Sequence, residues 1–481
     1  MKFRFLKLAI SILGCITFIS AAELRYSHSG ILNLSTIHRL SDYSIIKIPY
    51  RVLTYESLVS TNNFNIIGST AFEFRFGGIE KLETSQGKLN LRELYAEYFF
   101  DLGEVSLGKQ IINWGSASEN NPTDNVSPLN YYYLFSLGKE RREGIFSLSS
   151  ILYYQNMKMN LVYIPQTAAH IVPLDDPEFA INSPVSLRDD QIMKVSRPEY
   201  GFSFTVPYSI FEFNTSYFSG YDRIVSFFGA NVWSNQAFTN PIVADTVFSY
   251  RKTDVVGLGA SLLAGEFAVR GDIAYFNSGK KFSKEDIYRD YERGRKIIID
   301  ACEQRNANLP DWATSIDCTN DAEYKDTFLL DNIAKYYQYT VEFEYRPNID
   351  FSLISQFSKH VSTEFGKADS LTLSAGTILL DPEALFIPGM GLPNSFISNS
   401  AMSISAIKSY RDSGVELRYT GLIDLDEKGS LHEFGVEYEI KEDVKVTGVV
   451  NKIFADNSIP NNQFTAMEDF SHVRIELRYF Y

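Results

Sequence analysis

The sequence predicts an all-β fold, a transmembrane antiparallel up-and-down β-barrel of about 16 to 18 strands, with 18 preferred. Three observations predict it: segments in which apolar and polar residues alternate, links that are alternately short and long, and an aromatic C-terminal residue, Tyr481. Alternation with a period of two is typical of strands, because a helix would scatter the same residues around its circumference. Short turns at one end and long loops at the other are the layout of an outer-membrane barrel.

The N-terminus predicts export. Residues 1–22 have a positive start, an apolar run and small residues directly before Glu23, which together indicate a secretory signal peptide. Residues 23–481 are then a single barrel domain. The chain is acidic, with a formal net charge of −14, and has no basic patch suited to nucleic acid. No later stretch reaches the roughly 18 consecutive apolar residues of a membrane-spanning helix, so a membrane protein of this sequence must be a barrel.

Eighteen segments carry the alternation, and an even number keeps both chain ends on the periplasmic side. We place them near residues 23–38, 50–61, 63–77, 89–100, 104–110, 144–154, 158–165, 198–206, 210–219, 251–262, 266–276, 336–346, 349–360, 398–408, 412–422, 430–440, 444–454 and 470–481. The pattern is weakest in the first strands and near 398–408, which leaves 16 strands open. A barrel of this size usually leaves an aqueous lumen.

Long polar stretches separate the strand pairs, and we expect them to be extracellular loops. They cover residues 111–143, 166–197, 219–250, 277–335 and 361–397. Within the fourth, residues 283–299 look helical. Cys302 and Cys318 follow in a polar context, and an exported pair of this kind is more often a disulfide that closes a loop than a metal site.

A soluble β-sandwich or propeller is the alternative, because its strands alternate as well. The charged polar faces, the aromatic C-terminus and the lack of a blade-length repeat favour the membrane barrel.

Charged residues occupy the polar face of several strands and are predicted to line the lumen. They favour a wet interior, because charges that face protein packing would need complete pairing. These pore-lining candidates are Arg270, Asp272, Glu342, Glu344, Arg346, Glu416, Arg418, Glu437, Glu439, Arg474, Glu476 and Arg478.

One motif follows the fifth strand, Leu107-Gly108-Lys109-Gln110, then three residues, then Trp114-Gly115. It resembles the LG(R/K)Q-x3-WG signature of a porin-like family of Gram-negative outer-membrane proteins of unknown function. Further pieces of the resemblance are Asn121-Pro122, the segments 124–129, 162–165 and 217–222, and either Arg141 or Arg142. It is strongest from about 89 to 223, and the family's Asn-Pro-x-Asp order is split here.

The motif also has a physical interpretation. The large indole of Trp114 suits a loop that folds back onto a wall, and Gly115 permits a close backbone approach. The loop after residue 110 would then narrow the lumen, with charges that set a transverse field. The constriction candidates are Lys109, Gln110, Trp114, Asp124, Arg141 and Arg142. The alternative is that these residues only lock the loop structurally.

Catalysis is not predicted. The sequence has no G-x-S-x-G or H-E-x-x-H motif, and its six histidines lack metal-ligand spacing, so we expect no enzyme, no metal and no cofactor.

Two functions remain open. The first is an outer-membrane channel for passive passage of small solutes. The second is a non-conducting surface or assembly protein that binds a partner through its long loops. Expected partners are outer-membrane lipid, a solute that the sequence does not identify, and the barrel-assembly machinery of a Gram-negative bacterium. Tyr479 and Tyr481 resemble the terminal-aromatic signal which that machinery reads. A homo-oligomer stays open.

Overall fold

The computed structural model describes residues 24–481 except for 78–85, 134–137, 174–175, 180–191, 194–196, 235–242, 280–288, 311, 313, 316, 319–322, 374–375 and 460–461. The predicted signal peptide lies outside the described residues. Among those that are described, no helix is both long enough and apolar enough to cross a membrane.

The described part of the chain consists mainly of strands. They are β1 (Arg25–Arg39), β2 (Tyr50–Ser60), β3 (Phe64–Arg75), β4 (Gln86–Phe100), β5 (Gly103–Gln110), β6 (Ile145–Tyr154), β7 (Met157–Ile164), β8 (Glu199–Tyr208), β9 (Phe211–Tyr221), β10 (Ser226–Ser234), β11 (Val243–Ser249), β12 (Lys252–Ala264), β13 (Phe267–Ser278), β14 (Glu323–Leu329), β15 (Ala334–Asn348), β16 (Phe351–Phe365), β17 (Asp369–Leu373), β18 (Gly376–Leu380), β19 (Ser400–Tyr410), β20 (Val415–Asp424), β21 (Ser430–Lys441), β22 (Val444–Phe454) and β23 (His472–Phe480).

Eighteen of these strands form one closed antiparallel barrel, which confirms the preferred strand number. All except β10, β11, β14, β17 and β18 belong to it. Each barrel strand pairs with the next barrel strand along the chain, and β1 pairs with β23 to close the circle. The links at one end, which we call the short-turn end, are tight. Gly265 in the turn after β12 has φ +62°, a conformation that favours glycine. The other end is the long-loop end.

The last strand shows how alternation sorts the side chains. Ile475 and Leu477 are 54% and 41% exposed on the outer face, with Tyr479 beside them. Arg474 and Arg478 alternate with them and form ion pairs inside the barrel with carboxylates of β21 and β23. An apolar outer face and a charged inner face are typical of a barrel that contacts lipid.

The C-terminal residue completes the closing strand pair. The Tyr481 N–H donates to the Gly30 carbonyl at 3.1 Å, and the Gly30 N–H donates to the Tyr481 carbonyl at 3.0 Å. The Tyr481 ring covers Gly30, because a β-carbon added to that glycine would lie 2.2 Å from the tyrosine oxygen. The terminal aromatic residue therefore contributes both backbone pairing and packing to closure.

Two of the long stretches build a small folded unit at the long-loop end. β10 pairs with β11 and β14 in a three-stranded sheet, and a helix, α1 (Tyr291–Ala307), packs on it. Trp233 of β10 is fully buried between Tyr291 and Tyr324. The sequence predicts a helix over 283–299, of which 283–288 lie outside the described residues. The structure begins it at Tyr291, after Asp290, whose side chain caps the helix by accepting a hydrogen bond from the Arg293 N–H.

The predicted disulfide is confirmed. Cys302, in α1, is bonded to Cys318, with the two α-carbons 5.5 Å apart. The bond ties the helix to the segment that precedes β14, and neither cysteine lies in a barrel strand.

Loss of this disulfide should be a local event. We expect Cys302→Ser and Cys318→Ser to leave the barrel assembled while α1 and the small sheet become easier to cleave. Limited proteolysis combined with the mobility shift of the unheated barrel on gels measures both properties. A barrel that fails to assemble in either variant would contradict the local role.

A charged substitution on the outer face should destabilise the barrel. We expect Leu477→Arg to lower the free energy of unfolding by about 2 to 4 kcal/mol if the residue lies near the bilayer midplane, because the guanidinium would face hydrocarbon. Urea unfolding in phospholipid vesicles, followed by tryptophan fluorescence, measures this loss.

Arg478→Leu is the matched control, because Glu437 keeps Lys445 at 2.8 Å when Arg478 is removed. Normal assembly of Leu477→Arg together with failure of Arg478→Leu would invert the assignment of the two faces.

Candidate functional site

The loop between β5 and β6, residues 111–144, is bound to the inner wall and is called the internal loop. Two of its backbone N–H groups, those of Ser116 and Ala117, donate to Asp272 at 3.0 and 2.6 Å. The Ser118 N–H donates to Glu342 at 2.9 Å. Asp272 belongs to β13 and Glu342 to β15, and both are almost fully buried. Two carboxylates of the wall therefore hold consecutive amides of the loop, a strong kind of hydrogen bond because the acceptors are charged.

The contacts continue onto two further strands. The Asn120 side chain donates to Gln356 of β16 at 3.1 Å and to Ser403 of β19 at 3.3 Å. Thr340 of β15 donates to the Asn120 carbonyl at 2.6 Å. The loop starts and ends on the fifth and sixth barrel strands, and it binds the eleventh to fourteenth of eighteen. It therefore crosses the interior of the barrel.

Buried ion pairs stabilise the loop itself. Arg142 donates to Asp124, which also accepts the Trp114 N–H at 3.2 Å, and Arg141 lies 3.0 Å from Glu119. Burial raises the pKa of the Asp124 carboxyl, and the neighbouring Arg142 opposes this shift. Burial likewise raises the pKa of Glu119 and lowers that of Arg141. These charges are paired with each other, so the geometry fits a role in locking the loop.

Trp114 and Gly115 serve the same packing. The Trp114 indole is buried edge-on against Phe218 of β9, with ring centroids 6.4 Å apart. A β-carbon on Gly201 of β8 would lie 2.9 Å from that indole. Gly115 has φ +92°, and a β-carbon there would lie 2.0 Å from the Asn121 side chain. The Trp-Gly pair thus fills the side of the lumen next to β8 and β9.

The two residues before the loop point in opposite directions. Gln110 is buried inside and donates to the Ser147 carbonyl at 3.1 Å. Lys109 lies in register with Leu94 and Phe146, which are 49% and 55% exposed on the outer face. The predicted place of Lys109 in a constriction is therefore wrong, because successive side chains of a strand point to opposite faces.

The remaining charged candidates lie on the inner face in ion-pair networks. On β20 to β23, Glu437 is surrounded by Arg478 at 2.5 Å, Lys445 at 2.8 Å and Arg418 at 3.5 Å. The network continues through the pairs Arg418–Glu416 and Arg474–Glu476. On β13 and β15, Arg270 joins Glu342 and Glu344, and Arg346 lies 3.0 Å from Glu344. Glu439 is exposed near the short-turn end.

Further buried charges, which are not among the site residues predicted from the sequence, lie at the long-loop end. Arg223 is buried and lies 2.9 Å from Glu199. Arg251 and Asp222 are 2.8 Å apart, and Arg51 lies 3.3 Å from Glu73. A usable signal was present, because residues of opposite charge stand at the ends of neighbouring strands in each case.

The long-loop end is partly filled by a hydrophobic core. Loop residues pack inside against Ile37, Leu431 and Ile453 of the wall. They include Leu129, Tyr131, Phe179, Phe396, Phe464, Met467 and Phe470. The sequence predicts most of these stretches as polar extracellular loops, but their described parts bring apolar side chains into the barrel.

A cavity of about 550 Å³ lies between the internal loop and the strands β16, β19 and β20. It extends from Asn120 toward Asp350 in the turn after β15, and Arg346 and Glu416 are among its lining residues.

No family model and no curated protein matches the chain, so the resemblance of the motif stays a prediction. Among solved structures, OccAB3 of Acinetobacter baumannii has 10% sequence identity and a TM-score of 0.46, with 95% of this chain and 99% of that chain covered. OccK2 of Pseudomonas aeruginosa, in complex with glucuronate, has 8% identity and a TM-score of 0.44, with 95% and 97% covered. OmpT, an outer membrane protein of Vibrio cholerae, has 9% identity and a TM-score of 0.38, with 95% and 98% covered.

The buried pair in the internal loop should be costly to break. We expect Arg142→Met to lower the free energy of unfolding by about 3 to 5 kcal/mol, because it leaves Asp124 buried without its partner. Burial already holds the Asp124 pKa above its ordinary value, so the folded state disfavours the ionised carboxylate. The loss should therefore be largest near neutral pH and shrink as acid protonates Asp124.

Urea unfolding in vesicles at several pH values tests this prediction. Arg346→Met is the control, because that side chain is 59% exposed and its ion pair is worth about 1 kcal/mol or less. Equal losses in the two variants, or a loss that grows in acid, would contradict it.

Proposed function

We propose that the protein is a porin-like channel in the outer membrane of a Gram-negative bacterium, through which small solutes pass passively. The apolar outer face of the closed barrel supports the membrane location, because lipid is the environment in which that face costs least. Tyr479 and Tyr481 are the proposed assembly signal for the barrel-assembly machinery.

The charged inner wall is the observation that carries the channel proposal. The side chains of Arg346 and Arg418 are 59% and 44% exposed, and both belong to the inner face. Arg474 and Arg478 are partly exposed there as well. Charges that keep solvent contact inside a barrel support a wet path, since a dry packed interior would penalise them.

The internal loop narrows this path in our proposal. Its contacts with Asp272 and Glu342 hold it across the barrel, and the pairs Asp124–Arg142 and Glu119–Arg141 keep its shape. The electrostatic field that a solute meets then comes mainly from the charged strands of the wall, in the networks around Glu437 and Glu344. The sequence predicts instead that charges of the loop set this field.

A non-conducting surface protein remains the second candidate. The loop core inside the long-loop end and the small unit stabilised by the Cys302–Cys318 disulfide favour it, because ordered external structure can present a surface to a partner.

Single-channel recording in planar bilayers distinguishes the two. We expect steady ion conductance from the purified barrel, and a larger conductance from the variant Asp272→Ala/Glu342→Ala, because the internal loop loses the acceptors that hold it to the wall. Arg270 keeps Glu344 at 2.8 Å in this variant.

The matched control is Glu442→Ala/Asp443→Ala, which removes two exposed carboxylates from the turn after β21. Conductance equal in the test variant and the wild-type protein would contradict the narrowing role. The absence of conductance in all three proteins would favour the surface protein.

A further inference from the structure

We propose that the cavity below the internal loop is a binding subsite for a neutral, hydroxyl-rich solute of about the size of a monosaccharide. The proposal rests on the channel function and names the chemical class of its solute. The cavity volume of about 550 Å³ falls in the range of roughly 300 to 1,000 Å³ that is usual for small-molecule sites.

The charges that line the cavity are neutralised by partners. Each lining residue with a charge has an opposite charge within 3.0 Å. The pairs are Arg141–Glu119, Arg346–Glu344, Asp350–Arg411 and Glu416–Arg418. A charged solute would lose hydration here without gaining an unpaired counter-charge, so the lining favours a neutral one.

Two buried polar atoms of the lining lack a hydrogen-bond partner within the described part of the chain. They are Oδ1 of Asn394 and Nε of Arg141, in residues that are 5% and 4% exposed. The Asn394 amide nitrogen is already used, since it donates to Ser358 at 2.8 Å. Both atoms are shielded from solvent, so they are unsatisfied polar groups beside the cavity and are not part of its contact surface.

The strand wall offers hydroxyl and aliphatic groups in alternation. Ser405 and Thr420 lie directly opposite each other on β19 and β20, and Ile354 of β16 is the partner of Ser405 on its other side. The side chains of Ser405 and Thr420 form no hydrogen bond with any residue that the structure describes. Sugar rings combine hydroxyl rims with apolar C–H faces, and this wall presents complementary groups to both.

The test compares glucose with glucuronate, which share a ring and differ by one carboxylate. In planar bilayers we expect glucose to reduce the ion current of the wild-type channel in a saturable way, and glucuronate to do so much more weakly. The variant Ser405→Ala/Thr420→Val removes both free hydroxyls with little change in shape. We expect it to raise the half-saturating glucose concentration by about thirtyfold, the factor for two hydrogen bonds of ordinary net strength.

Ser35→Ala is the matched control. This serine lies on β1 opposite Glu476 of β23, on another part of the inner wall, and should leave the glucose response unchanged. Glucuronate acting as strongly as glucose, or an unchanged glucose response in the double variant, would overturn the proposal while ion conductance remained. The absence of ion conductance in every protein would instead overturn the channel function on which it rests.

Discussion

Closure of the strand circle between β1 and β23 is the constraint on which the rest of the structure depends. An open barrel would expose two strand edges to lipid, and each unpaired backbone group there would cost several kcal/mol. Gly30 and Tyr481 exchange two backbone hydrogen bonds and so extend the ladder between β1 and β23 to Tyr481. Once the circle is closed, the period of two leaves each side chain only two places, against lipid or inside the barrel.

The inner face uses its charges in two ways. Near the short-turn end they pair with each other and keep solvent contact, as the network around Glu437 shows. At the level of the internal loop, Asp272 and Glu342 accept backbone amides instead. A loop that carries its own buried pairs can be held rigidly by only a few such carboxylates, because its shape does not have to be imposed by the wall.

Sequence periodicity was sufficient for the barrel. The strand predicted near 336–346 is β15, Ala334–Asn348, and the other strands agree in the same way. Periodicity does not predict the side-chain positions where strand alternation is interrupted. It also does not predict contacts between residues that are far apart in the sequence. The motif predicts both Lys109 and Gln110 in one constriction, although adjacent residues of a strand face opposite sides. A register shift between β3 and β4 brings both Arg92 and Glu93 to buried positions, which strict alternation cannot predict. The partners of Asp272 are backbone amides, and these leave no trace in residue type.

The internal loop explains how one barrel can hold both a packed core and a charged wall. It crosses from the fifth and sixth strands to the eleventh through fourteenth and so divides the interior into two unequal sides. On the smaller side, Trp114 and Phe218 fill the space against β8 and β9. On the larger side, the loop core fills the long-loop end, and the charged strands β20 to β23 line the part below it. On the smaller side the space between the loop and the wall is narrow, so apolar residues fill it. A solvated, charged wall remains only on the larger side, where the loop leaves room for water. The cavity of about 550 Å³ lies on this larger side, next to Arg346 and Glu416.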